Sequence, residues 1–172
     1  LAAMLEDVSA IVEAVGVDPS RMIAFGRSVG SIYAIEMAHR FPEIAGLVLE
    51  SGIADVLQRL VLRLQPQELG CTEAQLEAAV GECLDHQVKL QTYTAPLLVL
   101  HAEGDHLVTI DHAESNHLWA ASIEKKLVRF PLGDHNSILA MNTRAYFQEL
   151  AQFLHQNEPE KHATESELVR AL

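Results

Sequence analysis

Four short apolar runs, separated by stretches with helical periodicity, constrain most strongly what this chain can fold into. The runs lie at residues 22–25, 46–49 and 97–100, and the fourth strand-like segment, at 126–130, also contains Lys126 and Arg129. Apolar runs of this length are typical of strands covered on both faces, and strands that alternate with helices form a parallel sheet. We therefore predict an α/β protein with a mostly parallel sheet flanked by helices, which the periodicity places at residues 1–15, 32–40, 111–120 and 137–155.

The composition restricts the class of protein further. Of the 172 residues 49% are hydrophobic, while 24 acidic and 12 basic residues give a formal net charge of −12. This hydrophobic content excludes disorder for most of the chain, and the negative charge argues against binding nucleic acid or an anionic membrane by charge alone. No apolar run reaches the roughly 20 residues that span a bilayer. We expect no transmembrane segment, and a cytoplasmic location unless an export signal precedes the first residue.

The predicted organisation is one core with a helical insertion. Residues 53–90 interrupt the strand–helix alternation with helical periodicity, and Thr72-x-x-Gln75 is a candidate capping box. The core spans residues 1–155 and contains this insertion, whereas residues 156–172 form a polar, acidic tail. The two cysteines, Cys71 and Cys83, are twelve residues apart without a CxxC pair, so they are interpreted as ordinary thiols.

The sequence Gly26-Arg27-Ser28-Val29-Gly30 follows the first predicted strand and precedes a predicted helix. It is a G-x-S-x-G pattern in a strand–turn–helix context, where a serine on a tight turn is exposed at the carboxyl edge of the sheet. The backbone amide of Val29, at the start of the helix, would point at a developing oxyanion. By itself, the pattern also fits a glycine-rich turn whose serine merely caps the helix.

Two further polar loops follow the third and fourth predicted strands. Asp105 lies in the loop after the third strand, and His135 lies in the loop after the fourth. Open α/β sheets gather ligands at the carboxyl ends of their strands, so Ser28, Asp105 and His135 are predicted to share one rim of the sheet. Their order along the chain is serine, acid, histidine.

Together these motifs resemble the α/β-hydrolase fold, over nearly the whole chain up to about Phe153. Within that superfamily the pattern is most similar to the small Bem46-like and serine-aminopeptidase-like branch. The resemblance rests on the segments at residues 25–31, 49–52, 101–108 and 133–136, which read FGRSVGS, LESG, HAEGDHLV and GDHN.

The resemblance implies a serine hydrolase that cleaves an ester, thioester or amide of a small-molecule acyl substrate. Ser28 would be the nucleophile, His135 the general base and later the acid, and Asp105 the carboxylate that fixes the histidine tautomer. The resemblance implies no cofactor and no metal. Residues 53–90 correspond to the family's cap over the active site. Their apolar side chains are interpreted as the cap's own core, and no substrate contact is assigned to them.

Neighbouring polar residues leave alternatives open. Glu103 or Asp134 could take the place of Asp105 as the acid. Arg27 could form a local salt bridge or hold an anionic substrate group, and the structural role is favoured.

A histidine-rich segment also invites a metal site. However, His112 and His117 are five residues apart, not the three or four that place two ligands on one helix face, and no H-E-x-x-H sequence occurs. A solvated face is therefore predicted for the candidate ligands, which are His101, Asp105, His106, Asp111, His112 and His117.

The beginning of the chain departs from the family pattern. In the fold that it resembles, four strands precede the helix that leads to the nucleophile, and one of their loops supplies a second oxyanion donor. This chain starts at Leu1, within that helix and without a methionine, so we expect a C-terminal portion of a longer protein. Only Val29 is then available as oxyanion donor, and the first strand has a bare edge that could pair with another copy. The alternative function is therefore a weak or silent hydrolase-like binding or scaffold protein.

Overall fold

Four strands and seven α-helices make up the part of the chain that the computed structural model describes, residues 2–158. Most of the predicted acidic tail, residues 159–172, lies outside the described residues. The strands are β1 (Ile23–Arg27), β2 (Gly46–Glu50), β3 (Leu97–Ala102) and β4 (Lys125–Phe130). The helices are α1 (Ala2–Val15), α2 (Gly30–Arg40), α3 (Val56–Val61), α4 (Glu73–Cys83), α5 (His86–Gln91), α6 (Ile110–Trp119) and α7 (Ile138–Gln156). None of these helices combines the length and the apolar character that crossing a bilayer requires.

The four strands form one parallel sheet in the order β1-β2-β3-β4, which confirms the predicted architecture. The register pairs Arg27 of β1 with Glu50 of β2, and Glu50 with Leu100 of β3. The carboxyl ends of β1 and β2 are therefore level with each other, and β3 continues two residues further. Within residues 2–158, β1 pairs only with β2, so its other side is an edge of the sheet; self-association through that edge stays a prediction.

The core lies on both faces of the sheet because side chains alternate along each strand. In β2, Leu47 and Leu49 pack with residues of α2, α5 and α6 on one face, and Val48 packs with residues of α7 on the other. Every residue of β2 and β3 is buried. Such double-sided burial explains why these strands are continuous apolar runs with no polar alternation.

Three strands extend past the carboxyl ends of the runs from which they were predicted, and β2 does so by Glu50 alone. β1 continues through Arg27, and β3 continues through His101 and Ala102. The parallel ladder persists there because Arg27 pairs in register with Glu50, and His101 with Arg129. His101 is thus a buried strand residue and does not lie on a solvated face as predicted.

Residues 53–90 hold helices α3, α4 and α5 and a 3-10 helix at Pro66–Leu69. Thr72 and Gln75 form the predicted capping box of α4. The Thr72 side chain accepts a hydrogen bond from the Gln75 backbone amide at 3.2 Å, and the Gln75 side chain accepts one from the Thr72 backbone amide at 2.9 Å. A buried cluster holds this stretch together and extends to α1 and to the loop after β3; its members are Leu5, Ile53, Val56, Leu76, Val80, Leu84 and Val108. The helical stretch is therefore anchored over the carboxyl edge of the sheet.

Candidate active site

Ser28 lies on the turn between β1 and α2 in a conformation that non-glycine residues seldom adopt. Its φ of 52° is in the left-handed region, which costs on the order of 1–2 kcal/mol for an L-residue. Hydrogen bonds hold it there: the Ser28 amide donates to the Glu50 carbonyl at 2.9 Å, and the Ser31 hydroxyl donates to the Ser28 carbonyl at 2.6 Å. The Ser31 hydroxyl also accepts from the Ile53 amide at 2.9 Å. Ser31, which sequence reasoning missed, therefore ties the turn to the chain that follows β2.

The close approach of α2 to the end of β1 depends on Gly26. A Cβ atom at this position would lie 2.6 Å from the Cβ of Ala34 and 2.7 Å from the carbonyl oxygen of Gly30. Because real Cβ atoms do not tolerate such distances, the turn can be this tight only with glycine at position 26. At Gly30, by contrast, an added Cβ would meet no atom within 4 Å.

Asp105, in the loop after β3, is 2% exposed and its carboxylate is fully engaged. One oxygen, Oδ1, accepts from the amides of Leu107 at 2.9 Å and Val108 at 2.8 Å. The other oxygen, Oδ2, lies 2.7 Å from Nδ1 of His135. The two alternative acids lie elsewhere: Glu103 is exposed, and the exposed Asp134 carboxylate accepts from backbone amides at the start of α7.

His135, in the loop after β4, connects the other two predicted site residues. Its Nε2 lies 2.9 Å from Oγ of Ser28. Because a carboxylate can only accept, Nδ1 carries the proton toward Asp105, and Nε2 is left to accept from the serine hydroxyl. The two loops can approach this closely because Gly104 has no side chain: a Cβ there would lie 2.6 Å from the carbonyl oxygen of Gly133. The structure therefore brings Ser28, His135 and Asp105 into one hydrogen-bonded series.

A second polar series supports the backbone of His135. Arg27 donates from Nε to Glu50 at 2.9 Å and from a terminal nitrogen to the carbonyl of His135 at 2.5 Å. The hydroxyl of Tyr146, on α7, donates to the other oxygen of Glu50 at 2.5 Å. Burial, and then the Glu50 carboxylate, raise the pKa of Tyr146, so it stays a donor. Arg27 thus makes the local salt bridge that its position suggested, whereas Glu50 and Tyr146 were not predicted.

The predicted solvated face is wrong for three of its six members, because Asp105, His101 and His112 are buried. His101 is fully buried and donates from Nε2 to the Val108 carbonyl at 2.8 Å, while the buried His112 accepts at Nδ1 from the amides of Ala54 and Asp55 at 3.2 and 3.3 Å. Burial lowers the pKa of both histidines, which favours their neutral forms. Among residues 2–158, no three histidine, cysteine or carboxylate side chains gather in a way that could hold a metal ion.

Ser28 and His135 open into a cleft of about 520 Å³, a volume within the range of small-molecule sites. Val29, which is 55% exposed and directly precedes α2, lies on its wall. The sequence assigns no substrate contact to the cap, but residues 53–90 contribute a large part of this wall, namely Ile53, Val56, Arg59, Leu60, Arg63 and Leu84. The helical period of α3 could have indicated which of its residues share one side, but not that this side faces Ser28.

Comparison with known sequences finds distant relatives. No protein-family model matches the chain. It is 27% identical over 139 residues to the uncharacterized membrane protein YNL320W of Saccharomyces cerevisiae, a match that covers 78% of this chain and 45% of the relative. It is 24% identical over 144 residues to the uncharacterized protein YfhR of Escherichia coli K12, covering 78% of this chain and 46% of the relative. The chain therefore spans a little under half the length of the curated relatives it matches.

Solved structures show a closer likeness in fold. A thermophilic esterase from Thermogutta terrifontis matches with a TM-score of 0.65 and 18% identity, covering 92% of this chain and 73% of the esterase. A monoacylglycerol lipase from Paleococcus ferrophilus matches with a TM-score of 0.66 and 16% identity, covering 90% of this chain and 74% of the lipase. The Bem46-like and serine-aminopeptidase-like branch stays a prediction. The sheet order, the flanking helices and these matches establish that the chain has the α/β-hydrolase fold.

Proposed function

We propose that this chain carries the catalytic residues of a serine hydrolase that cleaves an ester, a thioester or an amide. The observation that carries the proposal is the continuous series of hydrogen bonds from Ser28 through His135 to the buried Asp105, at 2.9 and 2.7 Å. The series begins at a cleft that can admit a small molecule. The esterase and the lipase that share the fold support the same class of reaction.

In the first half of the reaction, Oγ of Ser28 attacks the carbonyl carbon of the substrate. Nε2 of His135 takes the hydroxyl proton as the new carbon–oxygen bond forms, and it then gives this proton to the departing alcohol, thiol or amine. The negative charge of Asp105 stabilises the imidazolium that exists between these two transfers. In this proposal the amide of Val29, at the positive end of α2, donates to the oxyanion of the tetrahedral intermediate.

In the second half, water cleaves the acyl-enzyme on Ser28. His135 takes a proton from the water as it attacks the acyl carbon, and returns a proton to Oγ of Ser28 as the acid leaves. The burial of Asp105 and its two backbone amide donors fix the carboxylate, so the imidazole keeps one tautomer and one orientation through both halves. Reliable orientation of this kind lets a single histidine act alternately as base and acid.

A fluorophosphonate probe tests the proposal, since it reacts covalently with activated serines. In the full-length gene product we expect labelling of Ser28, loss of labelling in Ser28→Ala, and unchanged labelling in the control Ser115→Ala, whose serine does not line the cleft. Labelling that persists in Ser28→Ala would contradict the proposal. A protein that is neither labelled nor able to hydrolyse a p-nitrophenyl ester in a Ser28-dependent way would instead be the binding or scaffold protein of the alternative prediction.

A further inference from the structure

The charged residues on the wall of the cleft have an unexpected sign. Besides the titratable side chains of Tyr33 and His135, the wall carries the positive charges of Arg59 and Arg63, and no carboxylate lines it among the described residues. The chain as a whole has twice as many acidic as basic residues, 24 against 12. A wall with two positive charges and no negative charge is therefore the opposite of what the composition alone would give.

The local structure of α3 brings the two arginines to the same side. They are four residues apart, and the helical hydrogen bonding continues past Val61, since the amides of Arg63 and Leu64 both donate to the Leu60 carbonyl at 2.9 Å. Residues at this spacing are neighbours on a helix surface. Both guanidinium groups can thus reach a single ligand in the cleft.

Neither guanidinium is neutralised by a carboxylate of the described chain. Arg27, Arg40 and Arg129 each lie within 3.1 Å of a glutamate oxygen, but no ion pair within residues 2–158 includes Arg59 or Arg63. Asp55, four residues before Arg59, instead uses its carboxylate to accept from the Gln58 amide at 2.8 Å and so caps α3. The five donors of each guanidinium therefore remain for a ligand or for water.

We propose that Arg59 and Arg63 bind an anionic group of the substrate, a carboxylate or a phosphate, that is joined by an apolar segment to the carbonyl group attacked by Ser28. This inference rests on the proposed hydrolase function and adds the class of substrate. Arginine suits the role because its planar fork of donors matches the oxygens of both anions. The apolar segment would lie against the other wall residues, which include Ile32, Ile53, Val56, Leu60 and Leu84.

If Arg59 and Arg63 only stabilised the fold, their replacement would have a different effect on substrate preference. Arg59 lies in the last turn of α3, where a positive charge stabilises the helix through the dipole. Loss of that contribution would reduce stability and would affect all substrates alike. Recognition of an anion, in contrast, changes the ratio between anionic and neutral substrates, and the ratio falls as salt screens the charges.

Matched esters measure this ratio in the full-length gene product. The anionic substrate is the mono-p-nitrophenyl ester of suberic acid, the neutral one is its methyl ester, and a third carries a terminal phosphate. For Arg59→Gln/Arg63→Gln we expect kcat/KM on the anionic esters to fall about 10- to 100-fold, with less than a twofold change on the neutral ester. Arg59→Lys/Arg63→Lys should keep part of the preference, and Arg144→Gln, an exposed arginine outside the cleft, should keep all of it.

The outcomes separate this inference from the hydrolase proposal. A wild-type protein that hydrolyses the neutral ester and reacts with the fluorophosphonate, but shows no preference for an anion or keeps the preference in the glutamine variant, would overturn the inference alone. A wild-type protein without Ser28-dependent labelling or turnover would overturn both. If both anions are preferred, the larger kcat/KM identifies the substrate as a carboxylate or a phosphate.

Discussion

At the scale of single residues, Arg27 links the two halves of the site. It directly precedes Ser28 in sequence, and it reaches Glu50 and the carbonyl of His135 with different nitrogen atoms. A lysine carries its donors on a single nitrogen atom and lacks the fork of the guanidinium group, so it cannot maintain both contacts. We therefore expect Arg27→Lys to lower kcat about tenfold while KM changes less than twofold, because the loop that carries His135 is less firmly held. Steady-state kinetics on the neutral p-nitrophenyl ester provide the measurement.

Arg129→Lys is the matched control for this prediction. Arg129 also pairs with a glutamate, Glu114, but on the surface and outside the cleft, so its replacement should leave kcat unchanged. A kcat for Arg27→Lys equal to that of the wild type would mean that the hydrogen bond to the His135 carbonyl does not position the imidazole.

Some residues of the site could be predicted from the sequence, and others could not. Ser28, Asp105 and His135 follow predicted strands, and the parallel sheet alone is enough to bring strand ends together. Glu50 and Tyr146 are 96 residues apart, and their hydrogen bond depends on how α7 packs against β2, which no local pattern encodes. The burial of His101 was missed for a related reason: the carbonyl that it needs, that of Val108, is supplied by a loop that folds back over the strand.

At the scale of elements, the strand–turn–helix unit distinguishes two glycines that look equivalent in the G-x-S-x-G pattern. Gly26→Ala would force a Cβ to within 2.7 Å of atoms in α2, whereas Gly30→Ala adds a methyl group to open space in the first turn of the helix. We expect Gly26→Ala to lower the free energy of unfolding by about 2 kcal/mol or more, as overpacking does. Gly30→Ala should raise it by up to about 1 kcal/mol, because alanine loses less entropy in a helix.

Urea unfolding of the two variants checks this pair, and each serves as the control of the other. Equal destabilisation by both substitutions would contradict the steric account, since it would mean that the motif needs glycine for backbone freedom at both positions.

The bounds of the strands could be predicted from the sequence only in part. The predicted runs give the start of each strand to within one residue, but β1 and β3 end where their neighbours stop pairing, and this information lies in other parts of the chain.

At the scale of the whole molecule, two buried groups make stability depend on pH. His86 anchors α5 by donating from Nδ1 to the Ile53 carbonyl at 2.8 Å, and burial lowers its pKa from 6.5 to about 4. Nearby, burial of Glu36 disfavours its charged form, but Lys89 and Arg40 outweigh that effect and hold the pKa of Glu36 below its usual value. Both groups therefore favour the native state in the charge states that they hold at neutral pH, namely a neutral histidine and an ionised glutamate.

The sign of the pH dependence follows from proton binding. Between pH 6.5 and about 4 the unfolded chain protonates His86 while the native state does not, so the free energy of unfolding falls as the pH falls through this window. From pH 7 to pH 5 the loss due to His86 is about 2 kcal/mol, and Glu36 adds a further loss only in stronger acid. Urea unfolding at both pH values should therefore show a smaller acid effect in His86→Gln than in the wild type, by about this amount. His155→Gln, which changes a histidine whose side chain is 86% exposed, should behave like the wild type. If the free energy of unfolding changed equally with pH in His86→Gln and the wild type, His86 would be protonated equally in the native and unfolded states. The contact between α5 and the Ile53 carbonyl would then not respond to pH.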